Sequence, residues 1–154
     1  MPNLFSGNGE SGFNSRSKKK QLVITMDPIT DILNRIRNAQ AVLKPEVLIP
    51  FSNLKYEITK ILEKSGFIEK TEKRGKKTGR IIAITLKYED KNKPAISGLR
   101  RISKQGQRIY VNYRKIRPIK GGYGMTIIST SKGLMTNKEA KRQKLGGEVL
   151  CEIW

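Results

Sequence analysis

The chain of 154 residues carries 32 Lys or Arg against 13 Asp or Glu, a net charge of +19 at pH 7. It contains no histidine, which excludes a Ser-His-Asp triad, Cys-His nucleophiles and histidine metal sites. Its single cysteine, Cys151, cannot form an internal disulfide or a zinc cluster. Composition therefore predicts a reduced, intracellular, non-catalytic polycation with no metal and no cofactor.

The first 25 residues differ from the rest in composition. They are rich in Gly, Ser and Asn up to Ser15 and then basic at Arg16 and from Lys18 to Lys20. We interpret residues 1–25 as a flexible basic extension. The alternative is that translation of the natural protein starts at Met26. No apolar run reaches the roughly 18 to 20 residues that span a bilayer, so no membrane partner is expected.

Residues 26–90 predict an α-β-α-β-β module. Asp27 and Pro28 indicate a helix start, because an N-cap acceptor precedes a proline whose missing N–H costs nothing. Four apolar residues then recur at helical spacing: Ile29, Ile32, Leu33 and Ile36. This helix is expected to end near Leu43. Further elements are predicted as follows: a strand at 46–49, a helix from Ser52 to Gly66, and strands beginning at Phe67 and Ile81 around a loop at 74–80.

Residues 95–154 predict a second, mostly β module, joined to the first by a linker at 91–94. Thr136, with Glu139 three residues later, fits a capping box and predicts a short helix over 137–143. The remaining strands are predicted near Leu99, at 108–111, at 125–130 and at 148–154. The predicted fold class is α+β with two small domains.

The charge of the second half is unusually uniform. Between Asp90 and Glu139, 48 residues contain 12 Lys or Arg and no carboxylate. Such a surface attracts phosphate backbones and releases counterions when they bind. The alternative is a solvated surface that maintains solubility, but such surfaces usually mix both charges. The pattern favours a nucleic-acid partner.

The segment from Ser129 to Gly133 combines three hydroxyls, a lysine and a glycine directly after an apolar strand. Hydroxyls and a close backbone approach suit the base edges of an irregular RNA. An ordinary Ser/Thr turn is an equally good interpretation of the spacing alone. The order Ser131-Lys132-Gly133 does not match a Walker loop, so nucleotide hydrolysis finds no support.

Two tyrosines and one carboxylate stand out in the same half. Tyr110 and Tyr113 lie among basic residues and suit stacking on bases, although either can face the core of an alternating strand. Glu148 follows two glycines; it either orients a neighbouring cation or hydroxyl, accepts from a base amino group, or faces solvent at a strand start. The acidic residues are scattered, so a metal-dependent nuclease is not indicated.

Three segments of the second module resemble the C-terminal motif of the S-eight family of small-subunit ribosomal proteins. They are residues 127–136, Glu139-Ala140 and residues 145–151, from Leu145 to Cys151. Supporting matches occur at Asp27-Pro28-Ile29, at 35–38, at 66–69, at 101–104 and at 108–110. The resemblance covers residues 26–154 with the elements in family order.

This resemblance implies a structural, non-enzymatic protein that binds small-subunit ribosomal RNA directly in its central domain and helps its assembly. Neighbouring ribosomal proteins are the expected protein partners, and the expected location is the cytoplasmic ribosome, with an organellar ribosome left open. The implied RNA-contacting positions are Ser129, Thr130, Ser131, Lys132, Gly133, Tyr110, Gly147 and Glu148, with Lys55, Arg35, Arg37 and Asn38 in the first module. Arg108, beside Tyr110, is expected to meet phosphate.

Two other classes of function remain as alternatives. One is a free-standing RNA- or DNA-binding regulator, because some ribosomal proteins also bind a messenger RNA that mimics their ribosomal site. The other is an enzyme acting on RNA, for which the residues provide no visible active site. No small-molecule substrate is expected in either the ribosomal or the regulatory case.

Overall fold

The computed structural model describes residues 27–154, so the predicted flexible extension lies outside the described residues. The α-helices are α1 (Pro28–Ala41), α2 (Asn53–Lys64) and α3 (Asn137–Arg142). The strands are β1 (Glu46–Pro50), β2 (Ile68–Arg74), β3 (Ile81–Leu86), β4 (Tyr88–Asp90), β5 (Lys93–Pro94), β6 (Leu99–Arg101), β7 (Tyr110–Val111), β8 (Met125–Thr130), β9 (Gly133–Thr136) and β10 (Gly147–Ile153). Short 3₁₀ turns occupy Tyr113–Lys115 and Lys120–Gly122. The predicted α+β fold class with an α-β-α-β-β first half is confirmed.

Helix α1 begins as its sequence predicts. The carboxylate of Asp27 accepts a hydrogen bond from the N–H of Ile29 at 3.2 Å, and Pro28 occupies the first turn. Its apolar face is buried. The helix ends at Ala41, two residues before the predicted end at Leu43, because Leu43 adopts a left-handed φ of 56°.

Helix α2 begins and ends at the predicted signals, with one difference at its start. Ser52 occupies the N-cap position, but its side chain makes no capping hydrogen bond. Gly66 closes the helix with a φ of 84°, a conformation that suits glycine. Its buried positions include Lys55, Ile58 and Leu62.

The N-terminal sheet has the strand order β1-β3-β2, with all pairs antiparallel. Arg74 pairs with Ile81, which closes the predicted hairpin around the basic loop. Residues 88–94, which include the predicted linker, form a small hairpin of β4 and β5. The boundaries of the two domains stay a prediction.

The C-terminal sheet has the order β6-β10-β8-β9, with β7 also pairing with β10. The sequence predicted β8 and β10, and the structure adds β9, where no strand was predicted. Thr130 pairs with Gly133, so Ser131 and Lys132 form a two-residue hairpin turn. Thr136 caps α3 by accepting from the N–H of Glu139 at 3.3 Å, as predicted.

One buried cluster takes residues from both halves of the chain, including Ile32 and Ile82 from the first and Ile127 and Ile153 from the second. A smaller cluster lies under α3 and contains Ile116, Ile128, Met135 and Ala140. The two faces of the C-terminal sheet therefore pack differently. One faces α1 and α2, and the other faces α3.

Polar contacts also join the halves. Asp27, besides capping α1, receives the guanidinium of Arg101 at 2.8 Å. Arg37 donates to the backbone carbonyl of Leu99. None of the α-helices within residues 27–154 combines the length and apolar composition that a bilayer crossing requires.

Candidate nucleic-acid interface

Three candidate residues form a row across neighbouring strands of the C-terminal sheet. Tyr110 on β7 pairs with Glu148 on β10, and Glu148 pairs with Ser129 on β8. Directly paired residues of antiparallel strands project from the same face of a sheet. The row therefore presents an aromatic ring, a carboxylate and a hydroxyl side by side.

Tyr110 is the exposed aromatic of this row, with 70% of its surface accessible. Tyr113 lies differently: it packs against the small cluster under α3, and the Arg114 guanidinium lies 5.7 Å from its ring centroid. The Arg114 Nε also donates to the Tyr113 hydroxyl at 3.2 Å. Of the two tyrosines, Tyr110 has the ring available for stacking.

The hairpin turn between β8 and β9 carries the other C-terminal candidates. The hydroxyl of Thr130 accepts from the N–H of Lys132 at 3.1 Å and donates to the carbonyl of Gly133 at 2.9 Å. Gly133 has a φ of 110°. Thr130 and Gly133 thus hold the turn in shape, while Ser131 and Lys132 are exposed at its tip.

Two glycines allow β10 to enter the sheet at this point. A Cβ on Gly146 would lie 2.6 Å from the carbonyl oxygen of Val111, and a Cβ on Gly147 would lie 2.1 Å from that of Ser129. Neither position tolerates a side chain without a shift of backbone. Gly147 is therefore needed for the close spacing that aligns the row.

Glu148 has a defined partner. Its Oε1 accepts from Arg108 Nη1 at 3.0 Å, and the Glu148 side chain is 19% exposed against 47% for Arg108. Among the alternatives for this carboxylate, orientation of a neighbouring cation is the one that the geometry favours. The pair keeps the guanidinium of Arg108 beside the row.

The surface of the second half is cationic, both beside the row and toward the other end of β10, where Lys120 lies 4.8 Å from the Trp154 ring centroid. Several exposed side chains of the second half have no carboxylate within ion-pair distance among the described residues: Lys104, Arg114, Lys115, Arg117, Lys120 and Lys132. The two other carboxylates of this half are Glu139, near Lys64, and Glu152, which pairs with Arg100 at 2.8 Å. The uncompensated charge therefore remains open to a polyanion.

Lys55 is the one buried residue among the four candidates of the first module. It is 8% exposed, and its ammonium lies 2.6 Å from Asp31 Oδ2. Arg35 Nε binds the other oxygen of Asp31 at 2.9 Å. Burial alone would raise the pKa of Asp31, but the hydrogen bonds from Lys55 and Arg35 outweigh it and hold that pKa below its usual value. The geometry gives Lys55 a structural role, and its contact with RNA stays a prediction.

The remaining N-terminal candidates lie along α1. Arg37 donates to Asn34 Oδ1 at 3.0 Å as well as to the carbonyl of Leu99. Asn38 is exposed and lines a surface hollow together with Arg35. The structure thus gathers the C-terminal candidates at one end of a sheet and leaves the four N-terminal ones on the helices of the other half.

Some conspicuous side chains were missed by the sequence analysis. Lys73 Nζ lies 4.5 Å from the ring centroid of Tyr56 and 5.3 Å from that of Phe51. Tyr123, in a glycine-rich turn, is 87% exposed. Lys73, Tyr56 and Phe51 come from separate segments of the chain, so no local sequence pattern predicts their contact. Tyr123 does have a local signal, because it is an aromatic residue between Gly122 and Gly124.

Catalytic features are sparse in the described part of the chain. Residues 27–154 hold no group of three or more Cys, Asp or Glu side chains placed to bind a metal ion. Burial raises the pKa of the Cys151 thiol to about 12, with a smaller opposing effect of Arg101. A thiol in that state is a poor nucleophile.

The described residues thus combine an α+β fold with an exposed Ser-Lys hairpin and a cationic surface, the features of a small basic α+β protein. The family model described as Ribosomal protein S8 matches residues 27–154. The chain belongs to this family.

Curated relatives agree with this assignment. Small ribosomal subunit protein uS8 of Persephonella marina is 49% identical over 133 residues, covering 83% of this chain and 98% of the relative. The uS8 protein of a Thermoanaerobacter species is 47% identical over 132 residues, covering 86% of this chain and all of the relative, 100%. That of Rippkaea orientalis is 46% identical over 129 residues, with 83% and 97% covered.

Proposed function

We propose that this protein is a non-catalytic constituent of the small ribosomal subunit that binds small-subunit ribosomal RNA through the C-terminal sheet end. The family and the name of its relatives, small ribosomal subunit protein uS8, support the ribosomal assignment. Its partners are then ribosomal RNA and neighbouring ribosomal proteins, and its location is the cytoplasmic ribosome. The finer expectation is a direct contact with the central domain of that RNA, made early in assembly.

The observation that carries the RNA contact is the row of Tyr110, Glu148 and Ser129 beside the exposed hairpin tip. An irregular RNA helix presents unstacked bases whose edges accept and donate hydrogen bonds. Ser129 and Ser131 supply hydroxyls for these edges, and Tyr110 supplies a ring for stacking. The geometry therefore suits recognition of a local RNA shape.

Positive charge supplies the non-specific part of binding. Lys132 at the hairpin tip and Arg108 beside the row meet phosphates, while Glu148 fixes the direction of the Arg108 guanidinium. In the N-terminal half, Arg35 and Asn38 add contacts from the exposed side of α1. Arg37 contributes there as well, and Lys55 supports that surface through Asp31.

The same site accounts for the regulatory alternative. Binding that depends on RNA shape does not distinguish ribosomal RNA from a messenger segment with the same shape. The protein's own messenger RNA is therefore a second proposed ligand. Competition between the two RNAs for one site is the expected behaviour, and simultaneous binding would contradict a shared site.

The test is binding to a fragment of the central domain of small-subunit ribosomal RNA, measured at several salt concentrations. Ser131→Ala should weaken this binding by about 1–3 kcal/mol, as expected for loss of a buried hydrogen bond, and should leave binding to unrelated RNA unchanged. Ser97→Ala, at an exposed serine outside the site, is the matched control.

Equal losses on cognate and unrelated RNA for Ser131→Ala would contradict the proposed site. Sedimentation gives an independent check of the ribosomal assignment. The protein should travel with small subunits through low-magnesium gradients. A protein found only in free fractions would favour the regulator, and RNA cleavage that depends on divalent metal would favour the enzyme.

A further inference from the structure

A groove runs between the two halves of the molecule, and its lining contains none of the candidate RNA-contacting residues. It has a volume of about 450 Å³ and lies between the C-terminal part of α2 and the segment formed by β9 and α3. Its lining includes Lys60, Lys64, Leu134, Lys138, Glu139 and Arg142. Each wall therefore comes from a different half of the chain.

The groove is strongly cationic. Lys60 and Lys64 lie on one wall, and Lys138 and Arg142 lie on the other. Glu139 is the one acidic residue of the lining, and it reaches Lys64 only at 3.5 Å while 81% of the Lys64 side chain stays exposed. An ion pair so exposed is worth little and leaves the lysine able to exchange partners.

An exposed aromatic ring extends the groove at one end. A neighbouring hollow shares three lining residues with the groove, Ser65, Thr136 and Lys138, so the two are continuous. Tyr123 lines this hollow and is 87% exposed. Cations followed by an open aromatic ring form the combination that binds phosphates and stacks an unpaired base.

The groove also continues the sheet face that carries the candidate RNA site. Leu134, which lines the groove, pairs directly with Ser129 of the row. Paired residues project from the same face, so the groove begins one strand away from Ser129. The groove lies beside β9, the edge strand of this sheet, so a single RNA on the row reaches the groove across that one strand.

We propose that this groove holds a second segment of the same RNA, with its sugar-phosphate backbone between the lysines of the two walls and an unpaired base stacked on Tyr123. The proposal rests on the proposed function and extends it. RNA is favoured over an acidic protein because the groove combines charge with an exposed ring and adjoins the RNA-facing row.

The main experiment compares two double variants for binding to the central-domain RNA fragment. Lys64→Ala with Lys138→Ala removes one cation from each wall. Lys76→Ala with Lys77→Ala removes two exposed cations from the β2–β3 loop and is the matched control. The groove variant should lower the slope of log affinity against log salt by about two, one for each phosphate contact, and the control should not change it.

A second measurement tests the stacking. Tyr123→Ala should weaken binding of the fragment by about tenfold without changing the salt slope, and Tyr123→Phe, which keeps the ring, should restore binding. A cross-linker attached to the cysteine of a Lys138→Cys variant should form a covalent link to the RNA. The same cross-linker attached to the cysteine of a Lys77→Cys variant should not. The buried native Cys151 does not compete for the reagent.

The outcomes separate this proposal from the function on which it rests. If the wild-type chain binds no ribosomal RNA fragment, both the proposed RNA-binding function and the proposed role of the groove are contradicted. If the wild-type chain binds the fragment and the groove and control variants have equal salt slopes, the proposed role of the groove alone is contradicted. Unchanged RNA binding by the groove variant, together with weaker retention in reconstituted small subunits, would assign the groove to a protein neighbour and overturn the proposal.

Discussion

Gly147, at the start of β10, lies so close to Ser129 that a Cβ on the glycine would be 2.1 Å from the serine carbonyl oxygen. The adjoining pair of Glu148 with Ser129 depends on this spacing. A backbone approach therefore sets the geometry of side chains that are proposed to meet RNA.

Replacing Gly147 by alanine should separate β10 from β8 locally. We expect a loss of about 1–3 kcal/mol in the free energy of unfolding, as for other overpacked sites, together with weaker binding of the cognate RNA fragment. Chemical denaturation and RNA titration measure the two effects. Gly106→Ala is the control, because a Cβ there meets nothing within 4 Å. Equal stability of both variants would contradict the close approach.

Local signals in the sequence predicted most elements of the fold. Asp27 and Pro28 start α1, Gly66 ends α2, and Thr136 with Glu139 starts α3, because each places a hydrogen-bonding group or a permissive backbone where a helix terminus needs one. Apolar runs that follow glycines located β8 and β10. These signals act within a few residues, which is why they can be recognised without a structure.

Long-range pairings explain what the sequence did not reveal. The turn of Ser131 and Lys132 lacks the Asn-Gly type of signal that marks two-residue hairpins, so the sequence does not predict β9. The ion pair of Lys55 with Asp31, which lies 24 residues away along the chain, has no local signal either, and the contact of Lys55 with RNA stays a prediction. The groove between the halves likewise arises where α2 packs near β9 and α3, so no residue pattern along the chain predicts it.

The pair of Arg108 and Glu148 makes a prediction about salt dependence. Glu148→Gln removes the carboxylate that lies 3.0 Å from Arg108 and leaves the guanidinium free to bind phosphate. Binding to unrelated RNA should become stronger, and its salt slope should steepen by about one. The preference for the cognate fragment should fall, because the guanidinium loses its fixed direction.

A matched variant exists on the same strand. Glu152 pairs with Arg100 at 2.8 Å toward the other end of β10, away from the hairpin. Glu152→Gln should change the slope less than Glu148→Gln does. The same steepening in both variants would show that net charge alone is responsible and would remove the specific role of Glu148.

Cys151 predicts slow thiol chemistry in the native protein. The residue is fully buried, and burial raises the pKa of its thiol to about 12. At pH 8 the side chain is therefore both inaccessible to reagents and almost entirely in the unreactive thiol form. Alkylation should be complete only in denaturant, and its native rate should follow global unfolding. Ser97→Cys, which adds an exposed thiol, supplies the comparison rate. Native Cys151 reacting as fast as that thiol would contradict the burial.

Asp31 predicts loss of stability in acid. Its pKa is lowered in the folded state by Lys55 and Arg35 despite burial, so its stabilisation is present above the unfolded pKa of about 4 and disappears as pH falls through the lowered folded value. Asp31→Asn leaves the Lys55 ammonium buried without a counter-charge. At pH 7 this variant should lose about 1–3 kcal/mol in the free energy of unfolding.

The acid response distinguishes this ion pair from a general effect of charge. Below pH 4 the difference between wild type and Asp31→Asn should shrink, because the wild-type carboxylate becomes protonated and also ceases to pair with Lys55 and Arg35. Asp90→Asn, at an exposed carboxylate without an ion pair among the described residues, should track the wild type at every pH. Denaturant unfolding at several pH values between 3 and 7 measures all three chains. A constant difference between wild type and Asp31→Asn over this range would mean that Asp31 stabilises the fold by packing, so the paired charge would not be what holds Lys55 in place.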